Sequence, residues 1–119
     1  MLDYGCLLQK YLKGEDVVLS QQEFEEATEG LSAFTRRVLK GATLIPRGKT
    51  LTYKELAEKI GSPKAVRAVA SALGRNPLPI LIPCHRVVAG NGIGGFAFGI
   101  ELKKLLLEFE SKNLFSLPT

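Results

Sequence analysis

The run Ile80–Val88, ILIPCHRVV, constrains this chain more than any other stretch. Three aliphatic residues lead into Pro83, which disfavours a continuing helix and marks a sharply shaped strand-to-turn junction. Such a junction presents a thiol at the lip of a pocket. Cys84 is followed by Arg86 and, between them, by the chain's one histidine, His85. These neighbours supply a proton acceptor and positive potential, which a thiolate needs. Most free cysteines are instead small buried hydrophobes. Composition alone favours that reading for Cys84, and the surroundings reverse it.

A chain of 119 residues predicts a single domain with a real core. Cys6 and Cys84 lie far apart with no CxxC, and one histidine cannot build a zinc cluster, so free thiols in a reducing compartment are expected. No charged and apolar leader opens the chain and no run of 18 apolar residues occurs, which predicts a soluble, cytoplasmic protein without a membrane partner. Charge is unevenly placed. Residues 1–33 carry seven acids against two bases, and residues 34–119 carry fourteen bases against five acids. Between 34 and 90 the acids are Glu55 and Glu58 alone. A polyanion is the natural partner of such a segment, with nucleic acid the commonest, although a solvated cationic face needs no ligand.

Tyr4, Leu7, Leu8, Tyr11 and Leu12 recur at helical spacing and predict an opening helix, with Cys6 on or near its apolar stripe. A small strand is expected over 16–20, and 21–29 is acidic with Phe24 as its anchor. Ser32 suits the cap of a helix that buries Phe34, Val38, Ala42 and Ile45 and ends before Pro46. Thr52–Glu55 has the form of a capping box, opening a helix that buries Tyr53, Leu56, Ala57 and Ile60 and stops at Gly61. Ser62 and Pro63 are expected to start the next helix as cap and first residue, with Val66, Val69, Ala70 and Leu73 inward. The two helices have helix-turn-helix proportions. On the outer side of the second, Ala65, Ala68, Ser71 and Ala72 surround Arg67. Small residues around one long cation suit a DNA groove, and they equally suit helix–helix packing.

Asn76-Pro-Leu-Pro79 is a stiff link into Ile80. Gly90–Gly95 matches GxGxxG literally, but the 24 residues after it are too few for a dinucleotide fold, so a tightly turning loop is expected. No cofactor motif survives. A last helix is expected to turn Leu102, Leu105, Leu106 and Phe109 inward, with Glu110 at the edge of that stripe.

Taken together, these segments resemble the O6-alkylguanine-DNA alkyltransferases, the methylated-DNA–protein-cysteine methyltransferases. The matching segments are Phe34-Thr-Arg-Arg-Val-Leu39, Ile45-Pro-Arg-Gly-Lys-Thr-Leu-Thr-Tyr-Lys-Glu-Leu-Ala57 and Ser62-Pro-Lys-Ala-Val-Arg-Ala-Val69. The long run Arg75-Asn-Pro-Leu-Pro-Ile-Leu-Ile-Pro-Cys-His-Arg-Val-Val88 and Gly95-Phe-Ala-Phe-Gly99 complete them, covering roughly residues 31–111 in order. The resemblance implies a mostly α (α+β overall) fold, with a DNA-binding and alkyl-acceptor domain over 31–119 that carries the helix-turn-helix. A short, reduced N-terminal region over 1–30 precedes it.

What the resemblance implies for the site is specific. Cys84 is the acceptor that takes the alkyl group from guanine O6, and by extension O4 of thymine, once per protein and without a cofactor. His85 removes the thiol proton through a water, and Glu110 orients and charge-stabilises the imidazole. Direct contact between Cys84 and His85 is not expected, since neighbours in an extended segment point oppositely. Tyr53 assists guanine departure at N3. Arg67 fills the space left by a flipped nucleotide, Val66, Ala68 and Ala70 face the minor groove, and Asn76 ties the recognition helix to the cysteine segment. Pro79, Val87, Phe96, Ala97 and Phe98 surround the substrate, with the backbones of Cys84, Val87 and Ala97 reading the base. Phe98, which stands where several relatives have glycine, is expected to narrow the pocket against bulky adducts. The implied partner is double-stranded DNA containing O6-alkylguanine, bound by a monomer, and no metal ligands are present.

Three other readings compete. A non-enzymatic lesion sensor of the same fold commonly has tryptophan in place of the cysteine, and Cys84 argues against it. A helix-turn-helix regulator with a structural cysteine would prefer a defined sequence. A thiol hydrolase using Cys84, His85 and Glu110 is disfavoured by the alanine-faced cationic helix and by the adjacency of Cys84 and His85.

Overall fold

A computed structural model describes residues 3–15, 17–96 and 98–111. Helices dominate: α1 Tyr4–Leu12, α2 Gln21–Ala27, α3 Ala33–Thr43, α4 Tyr53–Lys59, α5 Val66–Leu73 and α6 Ile100–Ser111. Two short strands, β1 Leu51–Thr52 and β2 Val87–Val88, pair in parallel, with Leu51 opposite Val87 and Thr52 opposite Val88. A one-turn 3-10 helix, Cys84–Arg86, leads directly into β2. Among the described residues no helix is long and apolar enough to cross a membrane.

Caps set most helix starts. Ser20 and Thr52 each form a full capping box, with Glu23 and Glu55 reaching back, and Asp3 and Ser32 cap α1 and α3 through their side chains. The core lies where α3, α4 and α5 meet beneath the cysteine segment: Val38, Leu39, Leu56, Val69 and Ile82 are fully buried. Each such side chain contributes about 1.5–3 kcal/mol relative to exposure. The α3–α4 crossing depends on Gly41, where a Cβ would lie 2.9 Å from Leu56 Cδ1 and 3.0 Å from Ile60 Cγ2.

Several expectations are corrected. Cys6 is exposed, and α1 instead buries Tyr11, leaving Leu12 half out. Residues 17–20 form no strand; Asp16 lies outside the described residues. Ser62 does not cap α5, whose N-cap is Ala65 with no side-chain bond. The Ser62 hydroxyl accepts from Arg37 Nη2 at 2.8 Å and its carbonyl closes a turn onto the Ala65 amide, so the helix begins a turn later. In α5 the buried residues are Val69, Ala72 and Leu73, with Val66 half-buried and Ala70 exposed. Because α5 packs on both α3 and α4, its buried arc is the i, i+3, i+4 set between them, and Ala70 falls on the flank.

The last helix departs furthest. Leu105 is 63% exposed and Leu102 38%, whereas Lys103, Leu106 and Glu110 are buried. Two charged residues displace two leucines from the interior because buried polar groups across the interface need partners. Lys103 and Glu110 meet those demands.

Candidate active site

Parallel pairing of β1 with β2 carries the start of α4 to the cysteine segment, so Tyr53 and Cys84 line one cavity of about 440 Å³. Ala70, Leu73 and Gly74 from the end of α5 and Gly95 and Phe96 from the following loop complete its wall. The approach to Cys84 is strained: Ile80 has φ +75°, a left-handed conformation costly for a β-branched side chain. The chain then folds back, with the Ile82 amide donating to the Leu78 carbonyl at 2.9 Å. Cys84 itself begins a 3-10 turn, so the expected extended geometry does not hold.

The thiol and the imidazole nevertheless have separate partners. Asn76 Nδ2 donates to Cys84 Sγ at 3.0 Å and to the Ile82 carbonyl at 2.7 Å, while Asn76 Oδ1 accepts from the Leu78 amide at 2.8 Å. His85 Nε2 lies 2.7 Å from Glu110 Oε2, and the buried Nδ1 has no hydrogen-bond partner among the described residues. Burial alone would raise the Glu110 carboxyl, but hydrogen bonds from His85, Arg86 and Tyr11 outweigh it and hold it down at about 2. An ionised carboxylate requires a donor opposite it, so the imidazole directs an Nε2 proton at Glu110.

Arg86 does not serve the thiol as its position beside Cys84 suggests. Its Nε donates to Glu110 Oε1 at 2.9 Å, its Nη2 to Oε2 at 3.0 Å, and its Nη1 to the Ile45 carbonyl at 2.8 Å. The guanidinium charge is therefore committed to Glu110. The cation that acts on the thiol is Lys103, a residue sequence reasoning missed. Its fully buried ammonium donates to the Val87 carbonyl at 2.6 Å and the Gly95 carbonyl at 2.9 Å and lies 5.7 Å from the Tyr53 ring. Burial pushes the Cys84 thiol up, and the Asn76 donor and the Lys103 charge pull it back. Burial likewise lowers Lys103, against the opposing pull of Cys84. The spacing 103, 106, 110 is itself helical, and it was hidden by the competing apolar set 102, 105, 106, 109.

Tyr53 Oη donates to the Gly95 carbonyl at 3.3 Å, and burial raises its hydroxyl, which stays protonated at neutral pH. Its placement depends on Gly94, another residue the sequence reading did not single out. A Cβ there would lie 2.8 Å from Tyr53 Oη, and φ is +77°. Of the other expected site residues, Arg67, Ala68 and Ala70 are exposed on α5, with Val66 half-buried beside them. Phe96 lines the cavity; Phe98 stands outside its lining, packed edge-on against Phe96 with centroids 5.3 Å apart. Pro79 is also outside the lining and accepts from the Tyr4 hydroxyl, while Val87 is buried at 0% exposure. Ala97 lies outside the described residues.

The family model described as 6-O-methylguanine DNA methyltransferase, DNA binding domain, matches residues 33–112. The chain belongs to this family. A relative from Acanthamoeba polyphaga mimivirus, named a probable methylated-DNA–protein-cysteine methyltransferase, is 48% identical over 106 residues, 89% of this chain and 69% of its own length. A methylated-DNA–protein-cysteine methyltransferase of Methanosarcina barkeri is 44% identical over 90% of this chain and 66% of its own. Among solved structures, Mycobacterium tuberculosis OGT in complex with DNA superposes with TM-score 0.76 at 38% identity, covering 92% of this chain and 65% of that one. The O6-methylguanine-DNA methyltransferase of Pyrococcus kodakaraensis gives TM-score 0.76 at 42% identity, covering 92% and 64%. The chain thus spans about two-thirds of the length of these relatives, and 48% of the Methanocaldococcus jannaschii one. The mostly helical fold with its small sheet is the fold of the family.

Proposed function

We propose that this chain repairs DNA by moving an alkyl group from O6 of guanine to Cys84. The observation that carries this reading is a buried thiol on the wall of a cavity edged by α5, whose exposed face is small residues around Arg67. Duplex DNA lies along that face in the minor groove, α4 and α5 acting as a helix-turn-helix. O6 cannot be reached in line within a stacked duplex, so the base rotates out into the cavity and Arg67 takes its place in the stack. Val66, Ala68 and Ala70 let the helix approach closely, and Asn76 joins the end of α5 to the thiol.

In the transfer, His85 Nδ1 accepts the Cys84 proton through a water, while Nε2–H stays on Glu110. The thiolate then attacks the alkyl carbon: the S–C bond forms as the C–O6 bond breaks, and the electron pair leaves with guanine. Tyr53 donates to the departing base, which takes up the proton, so charge does not build up on it. Cys84 ends as a thioether, and nothing in the scheme regenerates it. The protein acts once, as a monomer, without a cofactor, and on DNA inside the cell.

Intact-protein mass after incubation with a duplex carrying one O6-methylguanine tests this. Gain of one CH2 by the wild type and none by Cys84→Ala is the expected result. Tight lesion binding without mass gain would make the protein a sensor, and no lesion preference would make it a sequence-reading regulator.

A further inference from the structure

Glu110 is held from three sides, and one of them lies outside the segment the family model matches. Tyr11, on α1, is 2% exposed and donates its hydroxyl to Glu110 Oε2 at 2.5 Å. The same oxygen faces His85 Nε2 at 2.7 Å and accepts from Arg86 Nη2 at 3.0 Å. The tyrosine is packed on both faces of its site by side chains of other segments. Its ring packs on Phe109 with centroids 5.7 Å apart, and the Arg47 guanidinium covers it at 4.3 Å. A bond across 99 residues of sequence therefore joins the opening helix to the carboxylate behind the histidine.

We propose that Tyr11 is a positioning residue for alkyl transfer, its hydroxyl holding Glu110 Oε2 against His85. This rests on the reading of Cys84, His85 and Glu110 given above. Arg86 grips both carboxylate oxygens and carries a full charge, so by itself it draws the carboxylate toward the guanidinium. The Tyr11 hydroxyl approaches Oε2 from a different element and opposes that swing. The imidazole stays aligned, and Nδ1 stays directed for proton acceptance. Helix α1 is then a working part of the site, and its docking matters to chemistry as well as to stability.

Tyr11→Phe keeps the ring, its Phe109 contact and the Arg47 cover, and removes only the donor. Two readouts apply to the whole chain: the single-turnover rate at saturating O6-methylguanine duplex, and the ring N–H resonance of the one histidine by NMR. The expected result is a three- to tenfold slower rate with unchanged duplex affinity, and an upfield-shifted, exchange-broadened Nε2–H signal. In a Glu110→Gln background the same substitution adds little further loss. The proposal is overturned if Tyr11→Phe leaves rate and resonance unchanged while Tyr11→Leu impairs both, for then the ring only packs. It is equally overturned by a downfield shift with faster transfer. The NMR readout does not depend on any transfer, so a wild type that fails to take up methyl counts against the functional reading and leaves Tyr11 still testable.

Discussion

Asn76 Nδ2 lies 3.0 Å from Cys84 Sγ, so an amide three residues beyond α5 is bonded to the thiol eight residues later. The same side chain also bonds the Ile82 carbonyl and the Leu78 amide. Asn76 thus contributes both to thiolate stabilisation and to the shape of the cysteine segment. Asn76→Ala removes the donor that opposes burial at Cys84, so the thiol rises further and its reaction with iodoacetamide shifts to higher pH. The buried Leu78 amide loses its partner at a cost of about 1–3 kcal/mol, measurable by denaturant unfolding, while the Ile82 carbonyl keeps the Cys84 amide. An unshifted profile at unchanged stability would refute the assignment.

Lys103→Met retains most of the side-chain volume and removes the charge near the thiol. Iodoacetamide alkylation of Cys84 at pH 7 is expected to fall severalfold, with the rate–pH curve displaced upward because less thiolate is present. Arg86→Met is expected to act on the thiol only through Glu110. A thiol rate insensitive to Lys103 but lowered in the Glu110→Gln background of Arg86→Met would reverse these roles.

Gly94→Ala puts a methyl group 2.8 Å from Tyr53 Oη at a left-handed backbone position. Displacing Tyr53 by about 1 Å is expected to slow alkyl transfer by about a hundredfold. The Cys84 rate with iodoacetamide, which needs no departing guanine, stays within twofold by the same argument. Equal losses in both assays would show that the glycine supports the thiol instead.

Glu110 is held at about 2 in the folded chain against an ordinary 4.5. Folded-state depression means the stabilisation is complete above about pH 4.5 and is lost as pH falls toward 2. It is of the order of 3 kcal/mol. Urea unfolding between pH 6 and 2 should show this loss, and Glu110→Gln should flatten it. A parallel slope in the variant would place the acid sensitivity elsewhere.

Phe98 packs against Phe96, which lines the cavity. Methyl adducts are expected to react about tenfold or more faster than benzyl adducts. Phe98→Gly, by letting Phe96 withdraw, should narrow that ratio. Equal wild-type rates with the two adducts would rule the idea out.

The sequence by itself determined the parts whose causes are local. Caps at Ser32 and Thr52 satisfy amides within three residues, so those helix starts were readable, and Pro83-Cys84-His85 singled out the thiol and the imidazole beside it. What only the tertiary structure decided depends on pairings between distant residues. Leu102 and Leu105 look like core by periodicity, yet Lys103 and Glu110 take the interior, because Val87, Gly95, His85 and Arg86 offer buried polar groups that leucine cannot satisfy. Ser62 has the chemistry of a cap but gives its oxygen to Arg37, 25 residues earlier. Arg86 adjoins the thiol in sequence and serves a carboxylate, while the cation acting on that thiol comes from α6. Spacing records which side chains share a face; it does not record which unpaired donor or acceptor that face will meet.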